Sequence, residues 1–496
     1  MLTRLKVNGF KNLVHVDVSL GPFTCIAGVN GVGKSNLFDA IMFLSALADR
    51  PLMDAARCIR DEKNRSTELT SLFFHAGGSL RDEMSFEAEM LISPEGTDDL
   101  GQRAKATITF LRYSLVLGYR QGDVQRPEQL VVKKEELKHI NVGDAHKLLG
   151  FQHSRDWRQS VVQGARRGAP FISTIERDTS AADETARSRI ILLHQDGGAG
   201  RPREHLAEML PRTVLSTTNA IESPTALLAR REMQSWRLLQ LEPSSLRNSD
   251  FFNSPSHLGA DGSHLAATLH RLARTHTANG SHDEAAVYAR VANRLSELVE
   301  DVLDVAVDED HRRELLTLQV RDRSQTLHAA RALSDGTLRF LALAILELDP
   351  SARGLLCFEE PENGIHPERI PAMVRLLKDL TVDPEEESGS DNPLRQVIVN
   401  THSPSVVSLV DEDDLLVAEQ REIAMGGQRH RGVGFAWLHD TWRSRLRPGE
   451  RTLSLGQLRA YLNPLAFEEP SPRKRRRVKD RDDARQMYLG FQQTGE

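Results

Sequence analysis

The sequence predicts an α/β nucleotide-binding protein in which two α/β segments bracket a mainly helical insertion. Three observations lead there. Gly28-Val29-Asn30-Gly31-Val32-Gly33-Lys34-Ser35 is a complete G-x-x-x-x-G-K-S phosphate loop. A later apolar run, Leu355-Leu356-Cys357-Phe358, ends in the adjacent acids Glu359 and Glu360. Between these two segments the hydrophobic spacing is mostly that of helices.

Residues 2–7 and 15–20 alternate apolar and polar side chains around a Gly9-Phe10-Lys11-Asn12 turn, which reads as two strands. The apolar run 23–27 is a buried strand leading into the phosphate loop, and 36–48 is the helix after it. Strand patterns return at 85–92, 106–117 and 129–132. From about 141 to 211 the pattern breaks up among Gly, Arg, Ser and His. Helical patterns follow at 223–237, 265–276 and 284–302, with a short strand at 315–321. The second α/β segment has a helix at 338–348, a strand at 354–358, a helix at 367–380 and strands at 396–399 and 415–418. A Glu-, Ser- and Gly-rich loop lies at 384–393. The expected domains are 1–140 (a first lobe with the phosphate loop), 141–331 (a mainly helical insertion), 332–465 (a second lobe) and 466–496 (a basic tail).

A chain of 496 residues is expected to hold two or three structural units. With 64 basic and 70 acidic residues its net charge is −6, which argues against a wholesale polyanion binder. The dense run Arg473-Lys474-Arg475-Arg476-Arg477-Val478-Lys479 reads as a solvated tail or a contact for nucleic acid or an acidic partner. No stretch approaches membrane-span length, and the start Met1-Leu2-Thr3-Arg4-Leu5-Lys6 lacks the apolar core of a signal peptide. The three cysteines, Cys25, Cys58 and Cys357, form no disulfide framework or zinc spacing. A cytoplasmic protein with no membrane association is expected.

The phosphate loop points to a nucleoside triphosphate and Mg²⁺. Gly31 and Gly33 let successive backbone N–H groups, including those of Asn30, Ser35 and Asn36, turn inward around phosphate oxygens at a helix N-terminus. Lys34 reaches the β- and γ-phosphates, and the Ser35 hydroxyl completes a Mg²⁺ shell. Glu359, at a strand tip, is placed to hold Mg²⁺ through water. Glu360 points the other way and can orient or deprotonate the attacking water. Ser334 and Gly336 precede a helix, where a hydroxyl and free N–H groups suit the γ-phosphate of a nucleotide presented by another subunit. His402 follows a strand and is a candidate sensor of the same phosphate.

This ordered set resembles the ABC-type ATPase heads of the RecF/SMC-like superfamily, in its short-armed prokaryotic group. The resemblance covers about half the chain and implies that 28–35 is Walker A, 333–339 the signature, and Glu359-Glu360 the end of Walker B. It also implies a D-loop around Asn363 and a switch histidine at His402, with Glu360 and His402 catalytic. The turn at Lys11 and Asn12 resembles the family's amino-terminal turn beside the nucleotide. Two departures stand out: Glu359 occupies a position where many relatives have Asp, and the Q-loop glutamine has no recognisable motif. Gln152 and Gln163 lie in the expected region.

The resemblance further implies a mixed-sheet lobe joined to a phosphate-loop core, and two heads that close on ATP as a homodimer or higher homo-oligomer. Relatives include the ATPase subunits of phage-defence systems of PARIS-like and Septu-like kind. The expected function is therefore an ATPase that senses or holds its target and controls a separate effector, a nuclease or toxin. A DNA-repair ATPase of RecF type, with DNA as partner, is an alternative. An assembly scaffold with slow hydrolysis is another.

Overall fold

The computed structural model describes residues 1–59, 69–76, 79–122, 127–164, 168–178, 187–196, 200–275, 284–425 and 428–462. The basic run at 473–479 lies outside them.

Two sheets organise the chain. The first is antiparallel and eight-stranded, with Leu2–Asn8 and Val16–Ser19 at one side and Glu83–Leu91, Phe110–Arg120 and Gln129–His139 next across it. It continues through Ile172–Asp178, Arg187–Leu193 and Arg203–Leu206. The second has seven strands, and its order sets up the site: Arg237–Leu239, Gly354–Glu359, Arg395–Thr401, Phe23–Ala27, Leu415–Met425, Gln428–Leu438, Thr452–Leu453. The first five of these are mutually parallel.

Parallel strands covered on both faces read as continuous apolar runs, and alternate residues then serve two cores. Ile26, Leu355, Cys357, Ile398 and Leu416 face the core shared with the antiparallel sheet. Cys25, Leu356, Phe358, Val399 and Val417 face the opposite core. The helix Lys34–Leu47 lies in the first of these and buries Leu37, Phe38, Ile41, Phe43 and Leu44, so it is apolar nearly all round. Phe10 stacks on Phe43 at 5.6 Å, which pins the Gly9–Asn12 turn against that helix. The opposite core holds the helices Leu265–Arg274, Asp335–Leu348 and Ile370–Asp379. Among the described residues no helix is long and apolar enough to cross a membrane.

The segment 141–331 corrects the expectation of a mainly helical insertion. It supplies three strands to the antiparallel sheet and the short strand Arg237–Leu239 to the parallel one. It also folds Asp250–Phe251, Val302–Asp310, Leu315–Asp322 and Leu327–Ala329 into a small sheet beside the helices Leu265–Arg274 and Glu284–Ser296. The alternation in Val302-Leu303-Asp304-Val305-Ala306-Val307 has period two, which ends the helical pattern before it.

One buried carboxyl ties this segment to the antiparallel sheet. Glu135, on Gln129–His139, is fully buried and accepts the backbone N–H groups of Val214 and Leu215, both at 2.8 Å. The Tyr113 hydroxyl donates to it at 3.1 Å. Burial outweighs these bonds and pushes the Glu135 carboxyl from 4.5 up to about 7. Its proton is therefore bound more tightly in the folded chain than in the unfolded one. The associated stability is fully present below pH 4.5 and is lost as pH rises through about 7. In thermal unfolding across that range, we expect this downward trend in the parent and its absence in Glu135→Gln; an identical pH slope in both would contradict it.

Candidate nucleotide site

Because the strands are parallel, their carboxyl ends reach one edge of the sheet, where α/β proteins bind ligands. The register aligns them: Ala27 pairs with Thr401, Asn400 with Glu359, and Phe358 with Leu239. The residues that follow the strands therefore converge, and the Gly28 N–H donates to the Thr401 carbonyl at 3.2 Å. A cleft of about 680 Å³ opens there, lined by Asn12, Asn30, Gly31, Gly33, Lys34, Ser35 and Asn36 from the first segment. Gln240, Glu359, Glu360, Asn363 and Asn400 line it from the opposite side.

Gly31 and Gly33 adopt φ of +78° and +108°, the left-handed region where a side chain is strained. Gly33 also ends the loop and starts the helix Lys34–Leu47, so the helix N-terminus faces the cleft. Asn12 braces the loop: its Nδ2 donates to the Val32 carbonyl at 3.3 Å, and Asn36 Nδ2 donates to its Oδ1 at 2.8 Å. Lys11 does not line the cleft and instead pairs with Asp39 at 2.8 Å. It ties the turn to the helix, so of the two expected nucleotide-contacting residues of this turn only Asn12 lines the cleft.

Lys34 is 6% exposed, and its Nζ donates to the carbonyls of Gly28 at 2.6 Å and Val29 at 3.1 Å. Burial lowers its pKa, while Glu360, Glu362 and Glu359 oppose that shift. The ammonium thus sits in a shell of carbonyls and acids that a phosphate can replace.

Glu360 has a positive φ of 44°, a strained conformation for a residue with a side chain. Its N–H is held by the Asn400 backbone carbonyl and Asn400 Oδ1, each at 3.0 Å. Asn363 Nδ2 donates to Glu360 Oε2 at 3.0 Å, and His402 Nδ1 lies 2.7 Å from Oε1. Burial alone would raise the Glu360 carboxyl; Asn363 and His402 outweigh it and hold it below the usual carboxylate range. Beside it, Glu362 is 7% exposed and hydrogen-bonded by the Thr401 hydroxyl, and burial raises its pKa.

Gln240 is the residue that sequence reasoning missed. It follows Arg237–Leu239 directly, lines the cleft, and its Nε2 lies 3.4 Å from Glu359 Oε2. Gln152 and Gln163 are outside the cleft, where Gln152 bonds Glu385 and Gln163 the Ser160 carbonyl. Arg339, the last residue of the 333–339 stretch, also lines the cleft: from the helix Asp335–Leu348 it donates to the carbonyls of Leu241, at 3.0 Å, and Asn363. It thereby joins the loops carrying Gln240 and Asn363.

Ser334 caps that helix, accepting the Thr337 N–H at 3.2 Å, and is exposed without lining the cleft of its own chain. Gly336 is buried, and a Cβ there would meet the Gly364 carbonyl at 2.5 Å. A side chain at 336 would force the helix Asp335–Leu348 away from the loop after Glu360.

Residues 204–408 match a family model described as "AAA domain, putative AbiEii toxin, Type IV TA system". That stretch contains Gln240, Ser334, Glu359, Glu360 and His402. The match, the sheet order and the phosphate loop agree with the resemblance to RecF/SMC-like ABC-type ATPase heads.

The DNA replication and repair protein RecF of Clavibacter michiganensis subsp. michiganensis is 35% identical to this chain over 85 residues, which is 17% of this chain and 21% of the relative. RecF of Clavibacter sepedonicus is 34% identical over 85 residues, with the same coverage. The chain thus spans about a fifth of the length of the curated relatives it matches. Among solved structures, an SMC head bound to the C-winged helix domain of ScpA is 14% identical, covers 88% of this chain and 98% of its own, and has a TM-score of 0.40. An SMC head with an extended coiled coil, bound to the C-terminal domain of ScpA derived from Pyrococcus furiosus, is 12% identical, with coverage of 94% and 99% and a TM-score of 0.41.

A Cβ at Gly33 would fall 2.3 Å from Asn12 Nδ2 on a backbone that disfavours it. Gly33→Ala should cost about 1–3 kcal/mol of stability and weaken ATP binding by distorting the loop. Thermal unfolding and nucleotide titration check this; parental values in both would mean the chain tolerates a different loop conformation.

Proposed function

We propose that the chain is a Mg²⁺-dependent ATPase whose two copies close head to head on ATP, and that closure controls a separate effector protein in defence against phage. The observation that carries the ATPase reading is the convergence of Lys34, Ser35, Gln240, Glu359 and Glu360 on one cleft. Ser334 stands exposed outside that cleft, which suits a hydroxyl that completes a partner's site.

The donors fit a hard cation. Ser35 and Glu359 offer oxygen ligands, and Gln240 lies beside Glu359. Among the described residues no cluster of three or more His, Cys, Asp or Glu could hold a metal by itself, so water and phosphate oxygens would complete the shell. Mg²⁺ bound there would offset charge on the β- and γ-phosphates.

The protein's own steps follow from the geometry. Lys34 exchanges the Gly28 and Val29 carbonyls for phosphate oxygens, while the N–H groups at 30–36 close around them. Glu360, kept ionised, accepts a proton from the attacking water, and Asn363 and His402 aim its two oxygens. Gln240 aligns the metal-side carboxylate. Loss of the γ-phosphate removes the group that Ser334 and Gly336 of the opposite copy bind, and the pair reopens.

The family description names a putative toxin of a type IV TA system, which supports a role within a two-protein system. The segment 141–331 is proposed to dock the effector, and its exposed apolar side chains Leu206, Met209 and Ile221 suit protein contact. The RecF match favours a second reading, a DNA-repair ATPase that clamps DNA.

Lys34→Ala should weaken ATP binding about ten- to a hundredfold by removing a charged phosphate contact. Glu360→Gln should retain binding and lower turnover by about 10²- to 10⁴-fold. Turnover assays with mass measurement should find the Glu360→Gln chain as an ATP-dependent dimer. A monomer at saturating ATP and Mg²⁺ would overturn the closure mechanism. Phage challenge of cells carrying the gene with its neighbours should lose protection in either variant; unchanged protection would remove the defence role and leave the DNA reading.

Gln240→Ala should lower turnover with little change in ATP affinity, and the loss should depend on Mg²⁺ concentration. A Mg²⁺-independent defect would place Gln240 outside the metal's surroundings.

A further inference from the structure

A second polar pocket lies at the other end of the parallel sheet. The cleft sits at the Glu359 end of Gly354–Glu359; this pocket, of about 220 Å³, sits at the Gly354 end. Six residues of strand separate them by roughly 17–20 Å. Its lining includes Ser235, Arg237, His257, Asp349, Ser351 and Arg353.

The pocket is strongly positive. Arg237, Arg271, Arg353 and Arg395 surround the single carboxylate of Asp349. The nearby Glu347 is already held by Arg294 through both oxygens, at 2.6 and 2.8 Å. Asp349 is committed as well. It accepts Arg271 Nη2 at 2.6 Å on one oxygen, and the Ser351 hydroxyl and N–H at 2.6 and 2.9 Å on the other. Arg395 is consumed structurally, donating to the carbonyls of Asp349 and Ala352 at 2.7 and 2.5 Å. Burial pushes Arg395 down to about 10, and Arg237 and Arg353 add like-charge repulsion.

Two of the four cations remain available. Arg237 is partly buried and lines the pocket, and its side chain makes no hydrogen bond or ion pair among the described residues. Arg353 stands exposed at the rim beside exposed His257 and Ser351, and among the described residues only its Nε is engaged, to the Pro350 carbonyl at 3.2 Å. The back wall is fixed by a close approach at Gly354, where a Cβ would meet the Ser235 hydroxyl at 1.9 Å. A guanidinium desolvated without an acceptor is costly, and an oxyanion of two charges would satisfy both arginines at once.

We propose that this pocket binds a phosphate dianion, either free or as a terminal phosphomonoester. A small pocket suits a group attached at one point, whereas an internal phosphodiester would have to thread chain through on both sides. Free phosphate and the 5′-phosphate of an oligonucleotide share that chemistry.

The test is calorimetric titration of the full chain carrying Lys34→Ala, so that the phosphate loop does not contribute. The probes are inorganic phosphate and one oligonucleotide with either a 5′-phosphate or a 5′-hydroxyl. Saturable one-to-one phosphate binding is expected, weakened about tenfold or more by Arg237→Gln. Arg353→Gln, at the exposed rim, should weaken it too and serves if Arg237→Gln fails to fold. A preference for the 5′-phosphorylated strand identifies a nucleic-acid end as the source; equal oligonucleotide binding alongside phosphate binding identifies the free ion. Absence of saturable phosphate binding in the Lys34→Ala chain, or binding unchanged by both arginine substitutions, overturns the site.

Discussion

The parallel register of Phe23–Ala27, Arg395–Thr401, Gly354–Glu359 and Arg237–Leu239 is the constraint on which the site depends. These strands come from positions more than three hundred residues apart, yet their carboxyl ends must stop level with one another. Ala27 opposite Thr401 and Asn400 opposite Glu359 achieve that. A one-residue slip would turn every side chain to the opposite face, exchanging the two cores as well as misplacing Glu360. Apolar packing on both faces is what makes the slip costly, so the core specifies the chemistry's geometry.

Electrostatics then decides what the edge can accept. Glu359, Glu360 and Glu362 crowd near one buried lysine, and their charges resist the loss of its proton on burial. Glu362 relieves part of the crowding because burial favours its protonated form. Glu360 takes the opposite course through Asn363 and His402. Neighbouring carboxyls are thereby driven apart in pKa, Glu360 downward and Glu362 upward. Arg339 adds a mechanical link, since a movement of the helix Asp335–Leu348 would pull on both the Gln240 and the Asn363 loops.

Local signals were legible in the sequence, and signals set by distant partners were not. The phosphate loop is contiguous, so its residue types report its conformation directly. Glu359 and Glu360 were legible because a fully buried strand must be apolar until it reaches solvent. Gln240 was not, since its strand has three residues and directly follows a helix pattern that absorbs it. The strand Gln129–His139 was read as ending at 132 because Lys133-Lys134-Glu135-Glu136 looks solvated. A register shift between Val132 and Lys134 carries the strand onward and buries Glu135. Ile172–Asp178 and Arg203–Leu206 lie towards the edge of their sheet, where charged residues are tolerated and the apolar alternation fades.

The most direct test of the proposed two-copy ATPase is complementation between chains. Lys34→Ala removes the phosphate contact and Ser334→Arg blocks the exposed signature surface, so each alone should be inactive. In a mixed dimer purified through two different tags, one site would combine Lys34 of one copy with Ser334 of the other, both intact. The account predicts recovery of about half the parental turnover in that mixed dimer, because a two-fold pair then holds one complete site of two. A mixed dimer that forms but remains as inactive as either single variant would contradict it.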